Sequence, residues 1–244
     1  MNPHTNYIDI HSHILPGVDD GSDSMEQTVR MLYMAAEERI TTIIATPHYE
    51  AGRDNRPVDE LKDIVNQVQL QAIEINKDFR ISLGNEIYYS ESIVEDLKSG
   101  KALTLAGSRY VLVEFSYGST FKSMYRGMNK LIYSGYIPIL AHVERYYSLH
   151  RKPDMVKELI KMGCYIQMNS KSVMGGLLDT KALYNRKLLQ NDMVHFISSD
   201  CHSDRVRVPM MQFAVKHLLK RCDEDQINRI FINNPTKLLE DIYI

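Results

Sequence analysis

The chain has 244 residues, 44% of them hydrophobic and 25% charged, which is enough for one enzyme-sized domain over residues 1–244. A formal net charge of -2 and the lack of a long Lys/Arg cluster argue against a protein that binds nucleic acid or a membrane surface. The apolar runs are far too short for a membrane span, and polar NPHTN follows Met1 instead of a signal peptide. The sequence therefore predicts a cytoplasmic protein without membrane insertion.

Short apolar runs typical of β-strands alternate with helical patterns along the chain. The predicted strands are Tyr7–His13, Thr41–Thr46, Arg80–Gly84, Tyr110–Phe115, Ile137–Ala141, Tyr165–Asn169 and Val194–Ser199. The predicted helices are Ser24–Arg39, Pro57–Asn76, Ser92–Gly100, Met124–Gly135, Pro153–Gly163, Thr180–Asn191, Val206–Arg221 and Asp225–Phe231. Seven such repeats predict an α/β fold in which helices cover a parallel sheet.

Five histidines and four carboxylates lie at the ends of the apolar runs. They occur in the segments YIDIHSHILPGVDDGS, TIIATPHYE, ISLGNEIYY, YVLVEFSYG, IPILAHVER and FISSDCHSD. Barrels of alternating β and α units carry their chemistry at strand ends, whereas an open sheet gathers ligands around one switch point. Because His, Asp and Glu hold divalent metals, the sequence predicts a polynuclear metallohydrolase on a distorted seven-stranded (β/α) barrel, similar to a TIM barrel.

Strand alternation predicts a chelating pair at the end of the first strand. His11 and His13 are two residues apart, so both point to one face. Asp9 shares that face, where it either orients a histidine or caps a neighbouring helix. Ile8 and Ile10 are then expected to point toward the helices.

The last predicted strand supplies a second pair by the same alternation. Phe196, Ser198, Asp200 and His202 are expected to share one face, and His195 points to the other. This gives the chain a DxH unit beside the HxH unit.

The segments DIHSHILPGVDDGS, ATPH, GNEIYY, VEF, AHVER and SDCH follow one another along nearly the whole chain. They resemble the motifs of the bacterial manganese-dependent protein-tyrosine phosphatases of capsule and exopolysaccharide loci, in the polymerase-and-histidinol-phosphatase (PHP) superfamily. The stretch HxHILPGxDDG is the specific part of the resemblance. It implies a distorted seven-stranded (β/α)7 PHP barrel whose trinuclear metal centre hydrolyses phosphotyrosine, typically on the tyrosine-rich tail of a bacterial tyrosine autokinase.

The resemblance also implies ligands for three divalent ions, expected to be manganese, with iron or zinc as alternatives. The first ion would be held by His11, His13, Glu86 and Asp200, the second by Asp20, His48 and His202, and the third by Glu86, Glu114 and His142, with Glu86 bridging. The position within the DDG motif favours Asp20 over Asp19. Arg145 and Arg207 match two arginines that the family uses near the phosphate.

Three divalent ions would leave a net positive charge after the four carboxylates, which suits a phosphate dianion. Metals roughly 3.5–4 Å apart can lower the pKa of a bridging water and stabilise the attacking and leaving oxygens. An arginine adds a planar fork that matches two phosphate oxygens. The absence of thiolate ligands argues against a zinc-selective site.

A cysteine-dependent phosphatase is the rival mechanism, because Cys201 and Arg207 form a C-x5-R string. That string lacks the glycine that would let backbone amides converge, and strand alternation turns Cys201 away from the metal face. Two other functions stay open. One is a PHP phosphatase for a small phosphomonoester such as histidinol phosphate, and the other is a non-catalytic module that binds a phosphorylated kinase tail.

Overall fold

The computed structural model describes residues 6–176 and 178–244. Its strands are β1 Tyr7–Ser12, β2 Ile40–Ala45, β3 His48–Glu50, β4 Arg80–Leu83, β5 Glu86–Tyr88, β6 Tyr110–Glu114, β7 Ile137–Leu140, β8 Tyr165–Asn169 and β9 Phe196–Ser198. Its α-helices are α1 Met25–Glu37, α2 Val58–Ile75, α3 Ile93–Lys98, α4 Phe121–Tyr133, α5 Pro153–Met162, α6 Thr180–Gln190, α7 Gln212–Leu218, α8 Glu224–Asn228 and α9 Asn234–Leu239. None of these helices is long and apolar enough to cross a bilayer. The predicted α/β alternation is confirmed.

Every paired strand is parallel to its neighbour, as predicted. One sheet has the order β1-β2-β4 and the other the order β3-β5-β6-β7-β8-β9. In the described part of the chain, one isolated parallel bridge, between Ser12 and Cys201, links β1 to the segment that follows β9. The ladder is therefore split into two sheets and is not closed into one continuous barrel.

Two of the predicted strands, Thr41–Thr46 and Arg80–Gly84, are each followed by a second short strand that was not predicted, which is why the described residues form nine strands. Pro47 lacks an N–H for the ladder and separates β2 from β3. Gly84 separates β4 from β5, and a Cβ there would lie 2.8 Å from the Leu105 side chain. Asn85 links the two breaks, because its Nδ2 donates to the Pro47 carbonyl at 2.9 Å and its Oδ1 accepts from Leu103 N at 2.9 Å.

The apolar core has two layers on opposite faces of the strands. Ile10, Leu112, Ile139 and Phe196 pack in an inner cluster closed by Leu238 of α9. The alternate strand residues pack instead against the helices in a larger outer cluster. The prediction that Ile8 and Ile10 point toward the helices is wrong, because both lie in or against the inner cluster.

The physical reason is an irregular register in β1. Its pairing with β2 shifts between Tyr7 and Ile8 and again between Asp9 and Ser12. A bulge of this kind changes which face successive side chains occupy. Simple alternation therefore does not hold from Ile8 to His13.

The predicted helix Val206–Arg221 is too long at its start. Helix α7 begins only at Gln212. Pro209 lies in the segment before it, and proline has no N–H to donate in the interior of a helix. The residues before it form a turn, in which the amides of His202 and Ser203 donate to the Arg207 carbonyl at 2.8 and 3.2 Å. This turn holds Arg207 beside the residues that follow β9.

Candidate metal centre

All nine side chains that the sequence singles out as ligands converge at the carboxyl ends of the strands. They are His11, His13, Asp20, His48, Glu86, Glu114, His142, Asp200 and His202. The convergence is the geometry that parallel strands with polar carboxyl ends produce.

Glu86 lies in the middle of this group and is 1% exposed. Its Oε2 atom lies 3.2 Å from ring nitrogens of His11, His13 and His48. Its Oε1 atom lies 2.8 Å from His142 Nε2. One carboxylate therefore faces four imidazoles, which is the position that a bridging ligand needs.

Three subsets have ligand atoms within 4.8 Å of one another, which is close enough to hold an ion each. They are His13, Asp20, His48 and His202; His11, His13 and Asp200; and His48, Glu86 and Glu114. The predicted sets overlap with these subsets but are not identical to them. His142 is outside the third subset, although its Nε2 lies 3.4 Å from Glu114 Oε1.

Two of the nine residues have a left-handed backbone. His142 follows β7 with φ 33° and Asp200 follows β9 with φ 52°. This conformation is costly for a residue with a Cβ, and it recurs at functional sites where the surroundings enforce it. At His142 the backbone amide is held by Gln167 Oε1 at 2.5 Å. The left-handed turns aim these side chains in a way that strand alternation alone does not predict.

The two oxygens of Asp200 have different surroundings. Oδ2 accepts from Arg145 Nη2 at 2.7 Å and Asn169 Nδ2 at 2.6 Å, and it forms an ion pair with Arg207 Nη2 at 2.6 Å. Oδ1 is buried, has no hydrogen-bond partner among the described residues and lies 3.5 Å from His11 Nε2. A buried, unpartnered carboxylate oxygen beside imidazole nitrogens fits a bound cation.

Asn169 is a site residue that the sequence reasoning missed. It ends β8, the one predicted strand for which no ligand was expected. A polar side chain at the end of an apolar strand was the available signal.

The carboxylates perturb the buried histidines of the centre. Burial would lower the pKa of His13, but hydrogen bonds with Asp19 and Glu86 outweigh it and raise this pKa to about 10. Burial likewise opposes protonation of His142, and its contacts with Glu114 and Glu86 raise its pKa to about 9. In the metal-free protein these raised pKa values favour protonation of both rings beside the carboxylates.

We expect metal binding to displace these protons, because a metal ligand must be a neutral imidazole. At pH 7.5 the two rings, with pKa values of about 10 and about 9, carry protons in the metal-free protein. Metal affinity should therefore rise with pH over the neutral range. Calorimetric titration with a divalent ion in two buffers of different ionisation enthalpy measures the protons released. An equal heat in both buffers would contradict this expectation.

The two carboxylates of the DDG motif, Asp19 and Asp20, have different contacts. Asp20 Oδ1 lies 3.3 Å from His48 Nε2 and 3.5 Å from His202 Nε2, as a shared ligand would. Asp19 instead turns inward, where its Oδ2 contacts His13 Nδ1 at 2.7 Å and accepts from the His48 amide at 3.0 Å. The geometry therefore favours Asp20 as the ligand, and it gives Asp19 the task of orienting His13.

Gly21 completes the motif for a steric reason. A Cβ at this position would lie 2.2 Å from the His13 carbonyl oxygen. The Gly21 amide donates to Asp19 Oδ1 at 3.0 Å. The loop can close on the HxH pair only with glycine here.

We expect Asp19→Asn to weaken metal binding about 10- to 100-fold, because carboxylates behind ligating histidines set their orientation and basicity. The matched control is Asp23→Asn, which removes the same charge from an exposed carboxylate in the next turn of the same loop. Metal affinity by competition with a chromogenic chelator is the measurement. An Asp19→Asn variant with wild-type affinity would show that Asp19 does not support the site.

Asp9 serves neither of the two roles considered for it. Its carboxylate accepts from the amides of His11 at 3.3 Å and Ser199 at 3.0 Å, and from the Ser199 hydroxyl. It therefore joins the end of β1 to the chain after β9 through the backbone. Burial raises the pKa of Asp9 to about 6 in spite of these bonds.

The position of Cys201 is unfavourable for a nucleophile. It is 1% exposed and packs in the outer cluster, and its Sγ atom lies 3.2 Å from Ser12 Oγ. Burial raises the pKa of its thiol to about 12, so the thiolate is disfavoured. The structure argues against the C-x5-R mechanism.

A family model described as "Capsular polysaccharide synthesis, CpsB/CapC" matches residues 7–240. The tyrosine-protein phosphatase CpsB of Streptococcus pneumoniae is 35% identical over 239 residues, which cover 96% of this chain and 98% of that protein. The tyrosine-protein phosphatase YwqE of Bacillus subtilis (strain 168) is 29% identical over 200 residues, covering 82% of this chain and 79% of the relative.

Solved structures agree with these matches. A crystal structure from a study of YwqE from Bacillus subtilis and CpsB from Streptococcus pneumoniae, described as unique metal-dependent tyrosine phosphatases, superposes with a TM-score of 0.89 and 28% identity. The superposition covers 97% of this chain and 96% of the other. The phosphotriesterase homology protein from Escherichia coli superposes with a TM-score of 0.59 at 13% identity, covering 98% of this chain and 100% of that one, which shows a shared fold.

Proposed function

Because the chain belongs to the CpsB/CapC family of capsular polysaccharide synthesis, we propose that it is a metal-dependent protein-tyrosine phosphatase. The observation that carries the proposal is the central position of Glu86, a buried carboxylate that faces four imidazoles in a cluster of His, Asp and Glu side chains. Its relatives carry the name tyrosine-protein phosphatase.

The donor set fits divalent metal ions, and three is the number we propose. Each of the three ligand subsets would hold one ion. Glu86 belongs to the third subset, and it would also reach the ion of the second because its Oε2 atom lies 3.2 Å from His11 and His13. Carboxylate and imidazole donors suit manganese first, with iron or zinc as alternatives. When bound, such ions supply a water nucleophile of lowered pKa and positive charge that stabilises the phosphoryl oxygens.

The protein's own groups hold and orient the substrate. Arg145 and Arg207 both contact Asp200 Oδ2, so their guanidinium groups lie directly beside the proposed ligands. Their remaining N–H groups are available to bind phosphate oxygens as a planar fork. Tyr117 Oη accepts from Arg145 Nη1 at 3.1 Å and fixes the direction of that guanidinium.

The strand arrangement fits a distorted seven-stranded (β/α)7 barrel. On this proposal β2 with β3, and β4 with β5, are each one strand interrupted at Pro47 or Gly84. The Ser12–Cys201 bridge brings the first strand beside the last. The interruptions open the barrel where His48 and Glu86 enter the site.

The proposed substrate is a phosphotyrosyl protein in the cytoplasm, with a bacterial tyrosine autokinase as the expected class. Family membership in capsular polysaccharide synthesis supports it. The deciding assay measures hydrolysis of three substrates by the metal-loaded protein: phosphotyrosyl peptides, phosphoseryl peptides and histidinol phosphate.

The proposal requires phosphotyrosine to be hydrolysed fastest, with activity lost to a chelator and restored by manganese. Faster hydrolysis of histidinol phosphate would favour a small-molecule phosphatase, and binding without turnover would favour a non-catalytic module. Cys201→Ala should keep its activity. A metal-loaded Cys201→Ala variant without activity would establish cysteine chemistry instead.

A further inference from the structure

A cavity of about 640 Å³ borders the metal centre on the side of Arg145. Arg145 lines this cavity, and its Nη2 atom lies 2.7 Å from Asp200. Tyr117 and Tyr147 form an aromatic wall, tied together by a hydrogen bond from Tyr147 N to the Tyr117 carbonyl at 3.2 Å. Tyr147 is 76% exposed, so core packing does not explain its place here.

Two lysines give this cavity its positive charge. Lys171 lies in the turn Ser170–Val173 that follows β8, and Lys181 lies in the first turn of α6. Both are exposed, and neither forms an ion pair within residues 6–176 and 178–244.

The acidic residues that line the cavity are already engaged by the protein. Glu144 Oε1 accepts from Asn169 N at 3.1 Å and from Ser172 Oγ at 2.7 Å, while its Oε2 is shielded from solvent. These bonds tie the turn that carries Lys171 to the segment of Arg145. Asp179 caps α6 by accepting from Lys181 N at 3.1 Å and Ala182 N at 3.0 Å.

The pairing of the positively charged side chains differs in the cavity of about 260 Å³ beside His48. Its two arginines are paired, Arg53 with Glu50 at 3.1 Å and Arg56 with Glu60 at 3.4 Å. Its lining also holds Lys101 and Asp54, two exposed residues of opposite charge without an ion pair in the described part of the chain. Within the described residues, the cavity on the Arg145 side therefore has two lysines without an ion pair, and the cavity beside His48 has one.

We propose that the cavity on the Arg145 side binds a second anionic side chain of the substrate polypeptide, close to the phosphotyrosine that is hydrolysed. The anion is a carboxylate or another phosphorylated tyrosine, since both would be attracted by the two lysines and a phosphotyrosine ring would also pack on the tyrosine wall. This inference rests on the proposed phosphatase function and adds a substrate preference to it.

The experiment compares three phosphotyrosyl peptides that differ only in the residues on both sides of the phosphotyrosine. These residues are glutamine, glutamate or phosphonomethyl-phenylalanine, a phosphotyrosine analogue that cannot be hydrolysed. We expect kcat/KM to be about 3- to 10-fold higher for either anionic peptide than for the glutamine peptide, mainly through KM, and this ratio to fall as salt rises. A larger ratio for the phosphonate identifies phosphotyrosine as the neighbour, and a larger ratio for glutamate identifies a carboxylate.

In the variant Lys171→Ala/Lys181→Ala the ratio should fall close to one. The control Lys157→Ala/Lys161→Ala removes the same charge from exposed positions of α5 and should keep the ratio. Because both rates come from one enzyme preparation, the ratio is independent of metal loading. Equal rates for all three peptides with the unmodified enzyme, or a preference that persists without the two lysines, would overturn the inference. Failure to hydrolyse any of the three would count against the phosphatase function instead.

Discussion

Glu86→Gln is expected to cost the protein more than one equivalent of bound metal and at least about 100-fold in kcat/KM. Loss of a group that hydrogen-bonds a metal ligand already costs about 10- to 100-fold in metal affinity or activity, and loss of a ligand shared between ions should cost more. Glu86 is the one carboxylate within 3.2 Å of His11, His13 and His48 in the described structure. Elemental analysis of the purified variant, with kinetics on a phosphotyrosyl peptide, measures both effects.

Glu114→Gln is the matched control for this experiment. Glu114 lies in the same ligand subset as Glu86, but within the described residues it contacts one imidazole instead of four, with its Oε1 3.4 Å from His142 Nε2. The same chemical change should therefore remove no more than one equivalent of metal. If Glu86→Gln kept its full metal content, the bridge would have to be assigned to another carboxylate.

Arg207→Ala is expected to reduce kcat/KM about 10- to 100-fold while the metal content stays close to that of the unmodified protein. Loss of one charge-assisted contact to phosphate corresponds to roughly 1.5–3 kcal/mol. Asp200 Oδ2 would still be held by Arg145 and Asn169, so the ligand should keep its orientation. Arg145→Ala should behave similarly, with Arg207 in the supporting role.

The conservative variants Arg207→Lys and Arg145→Lys should recover only part of the loss, because an ammonium group cannot reproduce the planar fork. Metal analysis beside the kinetics separates phosphate binding from support of Asp200. Kinetics unchanged at both positions would mean that the arginines do not hold the phosphate. A parallel loss of metal would instead show that the main role of the arginines is to hold Asp200 in position.

The sequence by itself determined which residue types stand at the ends of which strands. The HxH, ATPH, GNE, VEF, AHVER and SDCH segments each place a His, Asp or Glu after an apolar run, and parallel strands bring such ends together. The α/β alternation followed from the same pattern, because strand and helix periods can be read locally. Nothing beyond local chemistry and chain order was needed for this part.

Only the tertiary structure decided how those side chains are aimed. The irregular register of β1 places Ile10 in the inner cluster. At the left-handed residues His142 and Asp200, the backbone amides donate to Gln167 of β8 and His11 of β1. Asp19 and Asp20 are adjacent in one motif, and their roles differ because His13 and His48, distant from each other in the chain, meet at Asp19. Register, strained backbone and long-range hydrogen bonds depend on the packed fold, so they leave no reliable local pattern in the sequence.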